Sequence, residues 1–229
     1  MHMMVTNDDG IDAEGLRVLE ASLSPWGQVV TVAPTQEMSG CSHQVHLGRP
    51  LKLSEAGPQR FALDGTPADC VRVGLTQVAP QTDWVLAGVN CGGNLGVDIH
   101  MSGTVAAVRE ATLLGVPAIA LSQFRRTRAD VDWETAGRLV RRVLAELWQR
   151  RPRGHEFWNI NLPDVVDTNG EPEVVYCPCD PQHLIVDYEE TADGFRYRGS
   201  YQARPRTPGA DVDVCFSGKI AVSLIRWPG

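Results

Sequence analysis

The chain has 229 residues, of which 43% are hydrophobic and 21% charged, and its formal net charge is −7. That length can bury a substantial core in one domain, or one domain with an appendage. The negative balance excludes a general attraction to nucleic acid or anionic membranes, so any bound anion needs a local site. No apolar run approaches the roughly 20 residues that span a bilayer. Polar and acidic groups from Thr6 to Asp9 exclude the apolar centre of a signal peptide there, and the chain reads as cytoplasmic. Cys41, Cys70, Cys91, Cys177, Cys179 and Cys215 form no C-x-x-C pair. That argues against a zinc ribbon or a thioredoxin-like motif and for free, mostly buried thiols.

Residues 3–5 read as a short strand, and Leu16, Leu19 and Leu23 supply the apolar side of a following helix. Residues 28–33 (QVVTVA) are a second strand closed by Pro34. Residues 44–53 and 60–63 read as extended pieces of a small antiparallel insertion, bounded by Gly48-Arg49-Pro50 and Gly57-Pro58. A helix is expected over 67–78, a third strand over 83–89, a helix over 104–114 and a strand over 116–121. The strongest helical periodicity runs over 131–148, through Ala136, Leu139, Val140, Val143, Leu144 and Leu147. The basic cluster Arg150, Arg151 and Arg153 that follows suits a helix C-terminus. A strand over 157–162 follows. Beyond it, 168–208 is rich in proline, glycine and charge, with extended pieces at 174–176, 183–188 and 195–201 that suggest a hairpin arm. A short helix at 211–217 and a strand at 219–225 close the chain. Continuous apolar strands separated by helices predict an α/β fold: a mostly parallel sheet covered by helices on both faces. One domain is expected over 1–229, with its core over about 1–165 and 209–226 and the arm over about 168–208.

Asn7-Asp8-Asp9-Gly10 places two adjacent carboxylates directly after the first strand. Successive side chains along a strand point to opposite faces, so the two can reach one centre only if the backbone turns, which Gly10 permits. Crowded carboxylates repel unless a cation neutralises them, and oxygen ligands select hard ions such as Mg²⁺, Mn²⁺ or Ca²⁺. Ser39-Gly40 follows the second strand, and Asn90 opens the glycine-rich run Asn90-Cys91-Gly92-Gly93-Asn94-Leu95-Gly96 after the third. In a parallel sheet these strand ends share one edge, where open α/β folds bind ligands. Asp8, Asp9, Ser39 and Asn90 form an all-oxygen set suited to a dication. Ser102-Gly103-Thr104 opens a helix whose N-terminus suits a phosphate.

Six strings resemble the SurE family of stationary-phase survival nucleotidases: VTNDDGIDAEGL, VAPTQEMSGCS, DGTPADCVRVGL, AGVNCGGNLG, SGTVAAVREATLLGVPAIALS and WNINLPDV, in that order. The resemblance implies a three-layer Rossmann-like core with a C-terminal β-hairpin extension that assembles dimers or tetramers. It also implies a metal-dependent nucleoside monophosphate phosphatase. By the same resemblance Asp8, Asp9, Ser39 and Asn90 hold the cation, the four reached above from chemistry. Asn7, Gly40, Asn94, Ser102, Gly103 and Thr104 match phosphate and substrate contacts. The chain departs from the pattern at Met101, where many members carry tyrosine, and at the histidines His43, His46 and His100.

The expectation is therefore hydrolysis of nucleoside 5′- or 3′-monophosphates by a metal-activated water. One divalent cation serves each subunit, Mg²⁺ or Mn²⁺, with Ca²⁺ an occupant in a crystal. Asp8 and Asp9 act as catalytic residues and ligands, and Thr104 and nearby amides hold the phosphate. The partners expected are the nucleotide and further copies of the chain, with no nucleic acid and no membrane. Two alternatives share these residues: a nucleotide-binding sensor without turnover, and a phosphatase using Asp8 as covalent nucleophile.

Overall fold

Met3 and Val5 lie on one face of strand β1 (His2–Thr6) and Met4 on the other, and both faces are buried in separate apolar clusters. A strand buried on both sides must sit inside a sheet with helices above and below. A computed structural model of the chain describes residues 1–127, 130–164 and 170–226 and shows that arrangement. The predicted start of the arm at Thr168 and the terminal residues 227–229 lie outside the described residues.

The remaining strands are β2 (Gln28–Pro34), β3 (Leu53–Gly57), β4 (Arg60–Leu63), β5 (Trp84–Cys91), β6 (Ala118–Gln123), β7 (Glu156–Leu162), β8 (Val174–Tyr176), β9 (Tyr188–Thr191), β10 (Gly194–Tyr197) and β11 (Ile220–Arg226). All but β9 and β10 join one sheet in the order β3-β4-β2-β1-β5-β6-β7-β11-β8. From β4 to β7 every neighbouring pair is parallel. β3 and β11 pair antiparallel with β4 and β7.

Helices α1 (Glu14–Leu23) and α4 (Trp133–Leu147) cover one face, packing Leu16, Leu19, Leu23 and the periodic residues of α4 on Met3, Val5, Leu86 and Leu121. Helices α2 (Pro67–Val73) and α3 (Gly103–Leu113) cover the other, where Val71, Val105 and Val108 meet Met4, Val32, Val85 and Ala120. A third cluster joins Phe124 and Leu95 to α5 (Asp211–Phe216). The α/β architecture expected from the sequence is the one observed, and β9 and β10 form the expected antiparallel hairpin near the C-terminus.

Three local expectations shift. Residues 44–52 are not a strand: Gln44 accepts from Thr66 Oγ1 at 2.6 Å, the His46 N–H donates to Asp69 Oδ1 at 2.9 Å, and Arg49 bonds Asp64. Side chains at the start of α2 thus take the backbone partners that a ladder would need. β3 begins only at Leu53, and because β4 pairs with β2 the insertion extends the main sheet. In the tail, pairing starts at Tyr188 and stops at Tyr197, so neither 183–187 nor 198–201 is strand. β8, inside the predicted arm, pairs with β11 at the sheet edge, and only the stretch around β9 and β10 leaves the sheet.

Candidate active site

The first three parallel strands that bear on the site are adjacent, in the order β2-β1-β5, so the groups following them converge. After β1 the chain turns sharply. The Asn7 side chain donates to Gly10 O at 2.9 Å and accepts from the Gly10 N–H at 3.2 Å. Gly10 has φ +102°, which side-chain-bearing residues rarely adopt, and a Cβ there would press on Gln36 at 3.2 Å. The loop after β2 docks on this turn through Met38 N–H to Asp8 O at 2.7 Å, which brings Ser39 beside the aspartates. The Cys91 N–H at the end of β5 donates to Asp9 Oδ2 at 3.2 Å.

α3 approaches from the other side. Ser102 caps it, its hydroxyl oxygen accepting from the Val105 N–H at 3.0 Å. Gly103 lies so near Asp8 that an added Cβ would stand 2.9 Å from the aspartate Cβ. The Thr104 hydroxyl donates to Asp8 Oδ1. Thr104 is fully buried, so in this structure it grips Asp8, where the sequence reading had it holding phosphate.

Asp8, Asp9, Ser39, Gly40, Asn90, Asn94 and Ser102 all line one open pocket of about 780 Å³. Asn7, Gly103 and Thr104 stand behind it as supports for the turn and for Asp8. Asn94 is held by Asn161 and Ser122, its N–H donating to Asn161 Oδ1 and its amide to Ser122 Oγ, both at 2.8 Å. Ser39 donates to Glu37 Oε1 at 2.7 Å and Asn90 to Gly92 O at 2.8 Å.

Burial raises the Asp8 carboxyl above the ordinary carboxylate range despite the Thr104 bonds. Burial, then the neighbouring Asp8 charge, pushes Asp9 up to about 6. Two carboxylates held out of water beside one another favour either a proton or a cation. Burial also raises the thiols nearby, Cys41 to about 11 and Cys91 in the same direction, so they stay protonated and are poor metal ligands at neutral pH. The donors offered to an ion are thus hard oxygens, which fits a hard dication and not a thiolate-bound zinc.

None of the three histidines lines the pocket. His43 Nε2 pairs with Glu110 Oε2 and His46 Nδ1 with Asp69 Oδ2, both at 2.7 Å, while the exposed His100 offers its carbonyl to Ser42. Burial would raise Asp69 and Glu110, but hydrogen bonds from His46 and Thr66, and from His43 and Arg72, leave both below the ordinary range. These pairs fasten the loop after Ser39 to α2 and α3.

The pocket also draws on residues that the sequence reading missed: Glu14, Glu37, Asp98, Arg125, Trp133, Leu184, Tyr197 and Tyr201. Tyr201 donates to Asp98 Oδ2 at 2.9 Å, and Arg204 pairs with the same carboxylate, so the tail forms part of the wall. Arg125 lies two residues beyond β6, and only the pairing of β6 with β5 brings it to the site. The tail residues carry no local signal.

A nine-stranded α/β sheet with paired carboxylates at its switch edge defines a class of ligand-binding α/β proteins. The sequence matches the family described as Survival protein SurE over residues 3–181, and the chain belongs to that family. A relative in Synechocystis sp. is 45% identical over 226 residues, covering 99% of this chain and 100% of the relative. The protein named 5′-nucleotidase SurE in Paramagnetospirillum magneticum is 35% identical, covering 97% and 88%. The crystal structure of the Aquifex aeolicus SurE protein superposes with a TM-score of 0.85 at 27% identity, over 99% of this chain and 93% of that one.

Proposed function

We propose that the chain is a 5′-nucleotidase that hydrolyses nucleoside monophosphates with the help of one Mg²⁺ or Mn²⁺. The observation that carries this reading is a carboxylate pair inside an open pocket, Asp8 buried against the start of α3 and Asp9 half-buried beside it, in a family whose relatives bear the name 5′-nucleotidase. Asp8 and Asp9 would hold the ion, with Ser39 and Asn90 supplying further oxygens. A bound dication supplies charge neutralisation and polarises water and phosphoryl oxygen.

The residues divide the remaining work. Asp8 is fixed by Thr104 and by the start of α3, which suits a rigid ligand. Asp9, bonded through the Cys91 N–H, is the carboxylate better placed to accept a proton from an attacking water. Ser102 uses its oxygen as a cap and keeps its O–H free to donate to a phosphoryl oxygen, beside the positive end of the helix. The exposed Ile185, Val186, Tyr188 and Phe195 on and before the hairpin support assembly of copies through it. No helix among the described residues is long and apolar enough to cross a membrane.

The direct test is phosphate release from a panel of nucleoside monophosphates with Mg²⁺ or Mn²⁺, repeated in EDTA. Release that EDTA abolishes is expected. Nucleotide binding without release would make the protein a sensor.

Proton and cation compete for the same oxygens, which fixes a pH dependence. The raised Asp9 means that the folded state binds a proton more tightly than the unfolded chain between about pH 4 and 6. The cation-free protein therefore loses that contribution to stability as pH rises through 6. The increase in Tm produced by Mn²⁺ should accordingly be small at pH 5 and large by pH 7.5. A shift independent of pH over that range would count against paired carboxylate ligation.

A further inference from the structure

The row of strand ends at the site continues beyond β5 to β6. β6 lies beside β5, with Gln123 opposite Cys91. Phe124 then anchors the chain through its N–H to Leu162 O at 2.9 Å, and Arg125 follows directly into the pocket. The other charged residues lining the pocket are Asp8, Asp9, Glu14, Glu37 and Asp98. Among the described residues Arg125 is thus the one cation in the lining.

Its charge is not committed elsewhere. Asp98 is already matched by Arg204, whereas Arg125 has no hydrogen-bond or ion-pair partner among the described residues. Its guanidinium is within electrostatic reach of Asp9, which it pulls downward against burial. Arg125 also lines an adjoining cavity of about 470 Å³ with Gly92, Gly93 and Gln202.

A phosphate entering this pocket meets a charge problem. A dication only balances Asp8 and Asp9, and Glu14 and Glu37 still face the dianion. A guanidinium offers paired N–H donors in a fork that matches two phosphoryl oxygens, and it remains charged at any working pH. We propose that Arg125 binds the phosphoryl oxygens of the substrate, as the contribution of a fourth adjacent strand end to the site. This assignment rests on the nucleotidase reading.

The test compares wild type with Arg125→Gln and Arg125→Lys at pH 8 and saturating Mn²⁺, where Asp9 is ionised. The glutamine variant should lose about 10- to 100-fold in kcat/KM for a nucleoside monophosphate, the range for a hydrogen bond to a charged group. Inhibition by inorganic phosphate should weaken in parallel, while inhibition by the uncharged nucleoside stays unchanged. The lysine variant, which keeps charge but not the fork, should fall between. Tm should not move, because no contact is lost. Phosphate inhibition within about twofold of wild type in Arg125→Gln, on the tolerance of a surface change, overturns the assignment. If wild type releases no phosphate from any nucleotide, the nucleotidase reading fails by itself. Calorimetry with inorganic phosphate then decides Arg125: equal affinity in wild type and Arg125→Gln overturns its role, and a tenfold loss upholds it.

Discussion

Asp8→Asn should lower nucleotide hydrolysis by about 10³-fold or more, the loss of roughly 4 kcal/mol of transition-state stabilisation. The substitution nearly preserves shape, and an amide oxygen can still accept from Thr104, whose hydroxyl reaches Asp8 Oδ1. What disappears is the buried member of the carboxylate pair. Without cation, the variant should melt at or above the wild-type temperature, because a carboxylate that burial already drives toward its neutral form has been replaced by a neutral group. With Mn²⁺ the order should reverse. Wild type gains stability by mass action, by about 2.7 kcal/mol at a hundredfold excess over Kd, and the variant gains little. Near-wild-type turnover in Asp8→Asn would sink the assignment of the site. A large Mn²⁺-induced rise in its Tm would do the same, and that readout is independent of catalysis.

Gly15→Ala should be among the most damaging methyl groups that can be added near the site. Gly15 lies in the first turn of α1, where its φ is ordinary, so the constraint is space. A Cβ would stand 2.0 Å from the carbonyl oxygen of Val89 and 2.8 Å from the ring of Trp133. The first neighbour is backbone in the middle of the sheet and cannot move aside. α1 must lift, taking with it the packing of Leu16 and Leu19 on the core. A loss of about 3 kcal/mol is expected from such overpacking, a fall of roughly 6–12 °C in Tm for a chain of this size. Because Val89 precedes Asn90, the loss of activity in cation-loaded enzyme should exceed what the unfolded fraction explains. Thermal melts and specific activity on the same preparation check both, and a shift below about 2 °C would show that α1 tolerates the methyl group.

Much of the layer structure was legible because the strands are buried on both faces and α4 repeats its apolar positions without interruption. The paired aspartates and the capping serine were legible for a related reason: their chemistry depends on neighbours in sequence, a turn glycine or the first residues of a helix. Arg125 was not. Its place beside the carboxylates depends on β6 lying next to β5, which pairing decides and no local pattern announces. Thr104 shows the opposite limit. Its position at a helix start was read correctly, but its partner proved to be Asp8, because Gly103 allows α3 to come within van der Waals contact of that side chain. His43 and His46, which depart from the family pattern, pair with the carboxylates of Glu110 and Asp69 outside the pocket.

β1 lies between β2, which follows it closely in the chain, and β5, which comes much later, so that Met3 stands opposite both Val29 and Trp84. Closing the second of these loops is slow relative to the first. A chain emerging from the ribosome can pair β1 with β2 early and expose the aspartates on a half-built sheet. They become buried, and so acquire their raised proton affinity, only when β5 adds alongside and α3 docks through Thr104. On the proposed role of these aspartates, ion-binding competence would be a late product of folding, and its appearance in a refolding experiment would time the completion of the central sheet.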